Sequence, residues 1–288
     1  MPYRYASVCS ADGTRIAYRA YGSGPGIVLV HGGAGAAQSF DRLATMLADE
    51  FAVFVPDRRG RGTSGAFRDD HSLATEAADL DALLAETGAQ NLFGLSSGGV
   101  ISLYAATRLP RIAKLALYEP PVIADGAQPD RFASPFSRRL DRGDTGGAMV
   151  EALVGTADRG SMFARVPRFV LRPLLRLMMR REKPAGDRIP IRELVPTLRQ
   201  DIAMIRELQF ADASKITAEV LLLGGSRSMH DLQVGTGALA RTLPHAKRIV
   251  IDGVGHTAAL DDDQPELVAR ELRRFFAGAG SANALTGD

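Results

Sequence analysis

Short apolar runs alternate with segments of helical periodicity along most of the chain. Gly26-Ile27-Val28-Leu29-Val30, Phe51-Ala52-Val53-Phe54-Val55, Leu115-Ala116-Leu117-Tyr118, Val220-Leu221-Leu222-Leu223 and Arg248-Ile249-Val250-Ile251 are runs of four or five residues with almost no polar interruption. Continuous apolar runs of that length predict strands buried on both faces. Helical patterns occupy 39–50, 72–87 and 232–243. Strand and helix in alternation predict βαβ units, hence a mostly parallel sheet with helices on both faces. Ahead of them, Asp12-Gly13 marks a hairpin turn between two strand-like runs within 8–21.

The alternation stops between 123 and 212. Pro135, Pro167, Pro173, Pro184, Pro190 and Pro196 divide that stretch into helical pieces with an excess of basic residues. The expected organisation is a core of 1–122 and 213–277, a helical cap inserted at 123–212, and a small polar tail at 278–288. Arg165, Arg168, Arg172, Arg176 and Arg180 recur at helical spacing, with Phe169, Leu171, Leu174, Leu175, Met178 and Met179 between them. This reads as an amphipathic helix, kinked or restarted at Pro173. Its basic face is either solvated or attracts an anionic part of a substrate, and its apolar face suits an adaptable pocket wall.

Gly94-Leu95-Ser96-Ser97-Gly98 reads G-x-S-x-G. Ala89-Gln90-Asn91-Leu92-Phe93 before it is strand-like, and 100–106 after it has helical composition. A Ser between strand and helix needs a sharp turn, and small neighbours make room for it. Such a Ser needs a base, a group that orients the base, and donors for an oxyanion. His256, in Gly253-Val254-Gly255-His256 just after an apolar run, is the candidate base. His31, His71, His230 and His245 lack that setting. The His31-Gly32-Gly33-Ala34-Gly35 turn ends another strand. The amides of Gly33 and Ser97 are the candidate oxyanion donors.

Composition removes several alternatives. The 288 residues carry a net charge of +2, which gives no argument for nucleic acid. A single cysteine, Cys9, permits no intrachain disulfide. Without a signal-type segment or a long apolar stretch, the expectation is a cytoplasmic protein with no stable membrane insertion. No metal or cofactor is expected, because no HExxH motif or cysteine cluster is present.

The succession of His31-Gly32-Gly33, then Asp57 to Ser64 (DRRGRGTS), then Gly94 to Gly99, then Gly253 to His256 resembles the α/β-hydrolase family. The resemblance spans 8–277. It implies an eight-stranded sheet, a Ser-His-acid triad and hydrolysis without a cofactor, with Asp57 and Arg58 in structural roles. That family commonly places its acid a few residues after the strand matching 220–223, and Arg227 stands there. An Arg cannot accept the imidazole proton. The family's second placement follows the strand after the nucleophile helix, where this chain has Glu119. Glu119 is therefore the favoured acid, Asp231 the rival and Asp252 a distant third.

The resemblance implies hydrolysis of a carboxylic ester or thioester. A lyase or C–C-bond hydrolase on the same triad, and a weakly active ligand-binding sensor, stand as alternatives. The expected partner is a small-molecule substrate, with an anionic or acyl-carrier-linked portion as one form. The sequence leaves the oligomeric state open.

Overall fold

In the computed structural model, residues 3–126, 128, 130–157, 166–182, 186–243 and 245–277 are described, with Phe210 and Ala211 described by their backbone alone. Eight strands form one sheet: β1 (Arg4–Cys9), β2 (Arg15–Tyr21), β3 (Gly26–Val30), β4 (Ala52–Pro56), β5 (Asn91–Leu95), β6 (Lys114–Tyr118), β7 (Glu219–Gly225) and β8 (Lys247–Ile251). Their order is β1-β2-β4-β3-β5-β6-β7-β8. β1 and β2 pair antiparallel, as do β2 and β4, and every later pairing is parallel. The hairpin at Asp12-Gly13 is where the sequence puts it. Its first strand begins earlier than the apolar pattern suggests, because β1 is an edge strand with two of its six side chains partly covered and none buried.

The two faces of the sheet separate by residue parity, as a period of two demands. Val28, Val30, Leu92, Leu115, Leu117, Val220 and Leu222 face one core. There they meet α2 (Leu73–Thr87), α3 (Ser97–Ala106) and α9 (His230–Thr242). Ile27, Leu29, Phe93, Ala116, Tyr118, Leu221 and Leu223 face the other. That side is closed by α1 (Asp41–Leu47) and α10 (Pro265–Ala277). Each such Leu, Val or Phe removed from water contributes about 1.5–3 kcal/mol, so the central strands are the most firmly held part of the fold.

Between β6 and β7 all described elements are helical: α4 (Ala133–Asp141), α5 (Thr145–Gly155), α6 (Arg168–Arg181), α7 (Ile191–Leu194) and α8 (Leu198–Glu207), with short 3-10 turns. Phe132, Phe136, Ala148, Ala152, Met179, Val195 and Ile202 make a small core of their own. α8 belongs to both layers: Ile202 joins that small core, whereas Met204 and Ile205 pack on the sheet side.

α6 departs from expectation in two ways. It does not restart at Pro173, which stands inside one continuous helix. The bond that Pro173 cannot make would go to the carbonyl of Phe169, in the first turn of the helix. Three of its basic residues are also engaged by acids. Arg168 and Arg172 pair with Glu151, and Arg176 pairs with Asp144. Leu171 and Met179 are buried, while Phe169, Val170, Leu174, Leu177 and Met178 face outward. Acidic residues on α5 and at its N-cap thus pair with three of the arginines, which stay partly exposed. Arg165 and the tail 278–288 lie outside the described residues.

Candidate active site

β5 runs to Leu95 and α3 begins at Ser97, so Ser96 is the entire connection between them. Strand and helix both start closer to Ser96 than the apolar pattern indicates. Gly94 joins the strand, and Ser97, Gly98 and Gly99 join the helix. Ser96 has φ 54° and ψ −125°, a left-handed conformation costly to a residue with a Cβ. The strain is held on both sides. Ser96 N–H donates to the Tyr118 carbonyl at 3.0 Å, and its own carbonyl accepts from Gly99 at 2.8 Å. A side chain on Gly98 would collide with the backbone carbonyls of Val30 and His31, so the turn closes only with glycine there.

Glu119 is the first residue past β6 and also has a positive φ, 46°. Its carboxylate is 1 % exposed. Oε2 lies 2.8 Å from His256 Nδ1, and Oε1 accepts from the Gly225 amide at 2.7 Å. A Cβ on Gly224 would come within 2.9 Å of Oε1. The end of β7, where the sequence leaves no acid, thus provides a bare backbone against which Glu119 lies. Arg227, at the vacated place, uses its amide to donate to the Val254 carbonyl at 2.9 Å. Tyr118, one residue before Glu119, donates its hydroxyl to the Gly255 carbonyl at 2.7 Å.

The structure therefore brings His256 and Glu119 together. It places Asp231 in the first turn of α9, paired with Arg131 at 3.1 Å. Asp252 accepts from Ser226 at 2.9 Å on the surface. Gly33 follows β3, next to Gly32, whose Cβ position lies 3.0 Å from that of Ser96. Ser97 is the first residue of α3, where an amide has no intrahelical partner.

A group of buried charges lies beside these residues, and of it the sequence singles out only Asp57 and Arg58, in structural roles. Asp201, on α8, has no exposed side-chain surface. Its Oδ1 accepts from Arg58 Nη1 at 2.7 Å and from Ser97 Oγ at 3.0 Å, and its Oδ2 accepts from Arg61 Nη2 at 2.8 Å. Arg58 is also bound by both oxygens of Glu76, at 3.0 and 2.8 Å. Burial acts to raise the Asp201 carboxyl, but Arg58 and Arg61 outweigh it and hold the group below the ordinary range. Burial and the charge of Arg58 bring Arg61 down to about 10, which leaves it cationic at neutral pH. His31 is fully buried here. Burial, then Arg61 and Arg58, keep its imidazole well below its ordinary value. Asp57 accepts from the Ala37 amide at 2.8 Å, and Arg59 bridges Asp79 and Asp12. The signal for Asp201 was available. It shares the apolar face of its helix with Leu198, Ile202 and Ile205, where an acid requires a buried partner.

Among the described residues no group of three His, Cys, Asp or Glu side chains is placed to hold a metal ion. No described helix is long and apolar enough to cross a membrane.

The arrangement agrees with comparisons to known proteins. Residues 27–271 match the model of the alpha/beta hydrolase family. A pimeloyl-[acyl-carrier protein] methyl ester esterase of Xanthomonas oryzae is 27% identical over 263 residues, covering 89% of this chain and 96% of that protein. One of that name from Stenotrophomonas maltophilia is 30% identical, covering 79% and 91%. Among solved structures, an alpha/beta hydrolase from Sphaerobacter thermophilus superposes with a TM-score of 0.74 at 30% identity, covering 94% of this chain and all of that one. A thermophilic esterase from Thermogutta terrifontis, at 22% identity and a TM-score of 0.70, shares the fold. The sheet order, the turn at Ser96 and the matched span lead to one assignment: the chain belongs to the alpha/beta hydrolase family.

Proposed function

We propose that this enzyme hydrolyses carboxylic esters through Ser96, His256 and Glu119. The observation that carries the reading is the 2.8 Å contact between His256 Nδ1 and Glu119 Oε2, with Ser96 held in a strained turn one strand away. Ser96 Oγ attacks the carbonyl carbon as His256 Nε2 takes its proton. Glu119 accepts the Nδ1 proton in a hydrogen bond, fixes the tautomer and stabilises the imidazolium. The amides of Gly33 and Ser97 receive the oxyanion. His256 then returns the proton to the leaving alkoxide, and water repeats the sequence on the acyl-enzyme. The helices of 123–212 form a cap over this end of the sheet.

The relatives named as acyl-carrier-protein methyl ester esterases support an ester whose acyl part is carrier-linked. Arg172 and Arg176 are already occupied by Glu151 and Asp144, so a carrier would have to compete for them. The test is labelling with a fluorophosphonate, followed by peptide mapping and p-nitrophenyl ester kinetics. Label on Ser96, and hydrolysis abolished in Ser96→Ala, are expected. Turnover by Ser96→Ala near the wild-type rate would overturn the reading.

A further inference from the structure

One inserted helix, α8, touches both residues assigned to the oxyanion site. Leu198 packs into the space where Gly33 has no side chain, and Asp201 Oδ2 lies 3.5 Å from that same position. Asp201 Oδ1 meanwhile accepts the Ser97 hydroxyl at 3.0 Å. We propose that Asp201 is a positioning residue for the oxyanion site: clamped by Arg58 and Arg61, it holds the Ser97 end of α3 and the Gly33 turn in register. The inference rests on the serine-esterase reading above and extends it from the sheet to the inserted helices.

The geometry of the carboxylate supports this role. A buried carboxylate with three charge-strengthened or hydroxyl donors has little freedom to shift. Arg58 and Arg61 come from the loop after β4, Ser97 from the turn after β5, and Asp201 from the insertion. Asp201 therefore ties three separate chain segments at one point, within a hydrogen bond of the nucleophile's neighbour. Oxyanion donors act through pre-organisation, and a looseness of well under 1 Å reduces their effect. The clamp also accounts for a carboxylate beside a site that must accept negative charge. Arg58 and Arg61 balance Asp201 and Glu76, leaving the four groups with no net charge.

That balance separates positioning from simple electrostatics. Asp201→Asn leaves a net positive charge near the oxyanion, which on charge alone would preserve or raise kcat. Positioning requires kcat to fall. The variants are Ser97→Ala, Asp201→Asn and the double variant, assayed with p-nitrophenyl acetate and butyrate. Ser97→Ala keeps the amide and removes only the hydroxyl, so it serves even if Asp201→Asn does not fold.

The expected result for Ser97→Ala is a fall of about tenfold in kcat with KM within about twofold, a fraction of the 10²–10³ lost when a whole donor is removed. In the Asp201→Asn background the same change should cost less than about threefold, because the two groups act as one unit. Wild-type kcat in Ser97→Ala, or fully multiplicative losses in the double variant, overturns the clamp while Ser96 still labels with fluorophosphonate. Failure of Ser96 to label in the wild type overturns the esterase reading and the clamp together.

Discussion

Tyr118 Oη donates to the Gly255 carbonyl over 2.7 Å. The next residue, Glu119, meets the residue after Gly255, His256, over 2.8 Å. Two successive residues at the end of β6 thus hold two successive residues of the loop after β8, although β7 lies between those strands. The histidine loop is fixed by a backbone carbonyl and a side chain at once, which pre-orients the imidazole before any substrate arrives.

Glu119→Gln should keep the packing and remove the charge that stabilises an imidazolium. An expected loss of about 10³–10⁴ in kcat/KM follows from comparable triad changes. Asp231→Asn, whose carboxylate pairs with Arg131 instead, should alter the rate by less than about tenfold, or ~1.4 kcal/mol in the barrier. Steady-state kinetics on both variants, with folding checked by circular dichroism, decide between them. A collapse in Asp231→Asn with Glu119→Gln unimpaired would reverse the assignment.

Tyr118→Phe tests the other half of the pair. It leaves the ring in the core and strips a donor from the buried Gly255 carbonyl. Stability should fall by about 0.5–1.5 kcal/mol, the net worth of one hydrogen bond, because the Gly255 carbonyl keeps the Ala258 amide at 3.4 Å. The kcat should fall less than in Glu119→Gln, because Glu119 still orients His256. Urea melts together with ester kinetics provide both numbers, and an unchanged melting curve would show that the bond contributes nothing.

The central sheet was legible because buried parallel strands leave unbroken apolar runs, and 26–30, 115–118 and 220–223 carry that mark within β3, β6 and β7. Ser96 and His256 could be singled out because glycines punctuate a chain wherever backbone must approach backbone. Asp201 could not be found by the same route. An acid on an apolar helix face signals a buried partner, but Arg58, Arg61 and Ser97 are over 100 residues away, and no local pattern says which residues those partners are. The acidic partners of α6 are hidden from the sequence for a related reason. Spacing shows which residues share a helical face, but not which neighbour that face meets, and Glu151 and Asp144 decided the matter.

Gly98→Ala should be among the most damaging single-methyl changes in the protein. The added carbon would press on the Val30 and His31 carbonyls, backbone atoms that cannot swing aside. Overpacking of that kind costs about 1–3 kcal/mol or more, and here it would also displace Ser96. Gly88→Ala is an informative contrast. It has open space around its Cβ position but a φ of +66°, so it carries only the conformational penalty. Thermal melts should rank Gly98→Ala well below Gly88→Ala, and fluorophosphonate labelling of Ser96 should fail only in the former. The reverse order would mean that strain, not contact, governs these turns.

His31 sets the last expectation, a dependence of stability on pH. Its Nδ1 lies 2.9 Å from the Gly32 carbonyl, and the Arg58 amide approaches Nε2 at 3.5 Å, an arrangement suited to a neutral ring protonated at Nδ1. Burial and the cations Arg61 and Arg58 hold its folded value well below the ordinary 6.5. Between those two values the unfolded chain binds a proton that the folded chain refuses. Stability must then fall as pH drops below about 6.5, by up to ~1.4 kcal/mol per pH unit for one proton, and level off at the folded value. The buried carboxylates Glu76 and Asp201, whose ordinary values are 4.5 and 3.8, add their own losses only at lower pH. Urea melts between pH 5 and 8 should therefore slope downward toward acid in the wild type and less steeply in His31→Asn. The slope is the readout, because the substitution changes the absolute stability at every pH. Parallel slopes in the two proteins would mean that His31 takes up its proton in the folded state, and that the cations beside it do not control its charge.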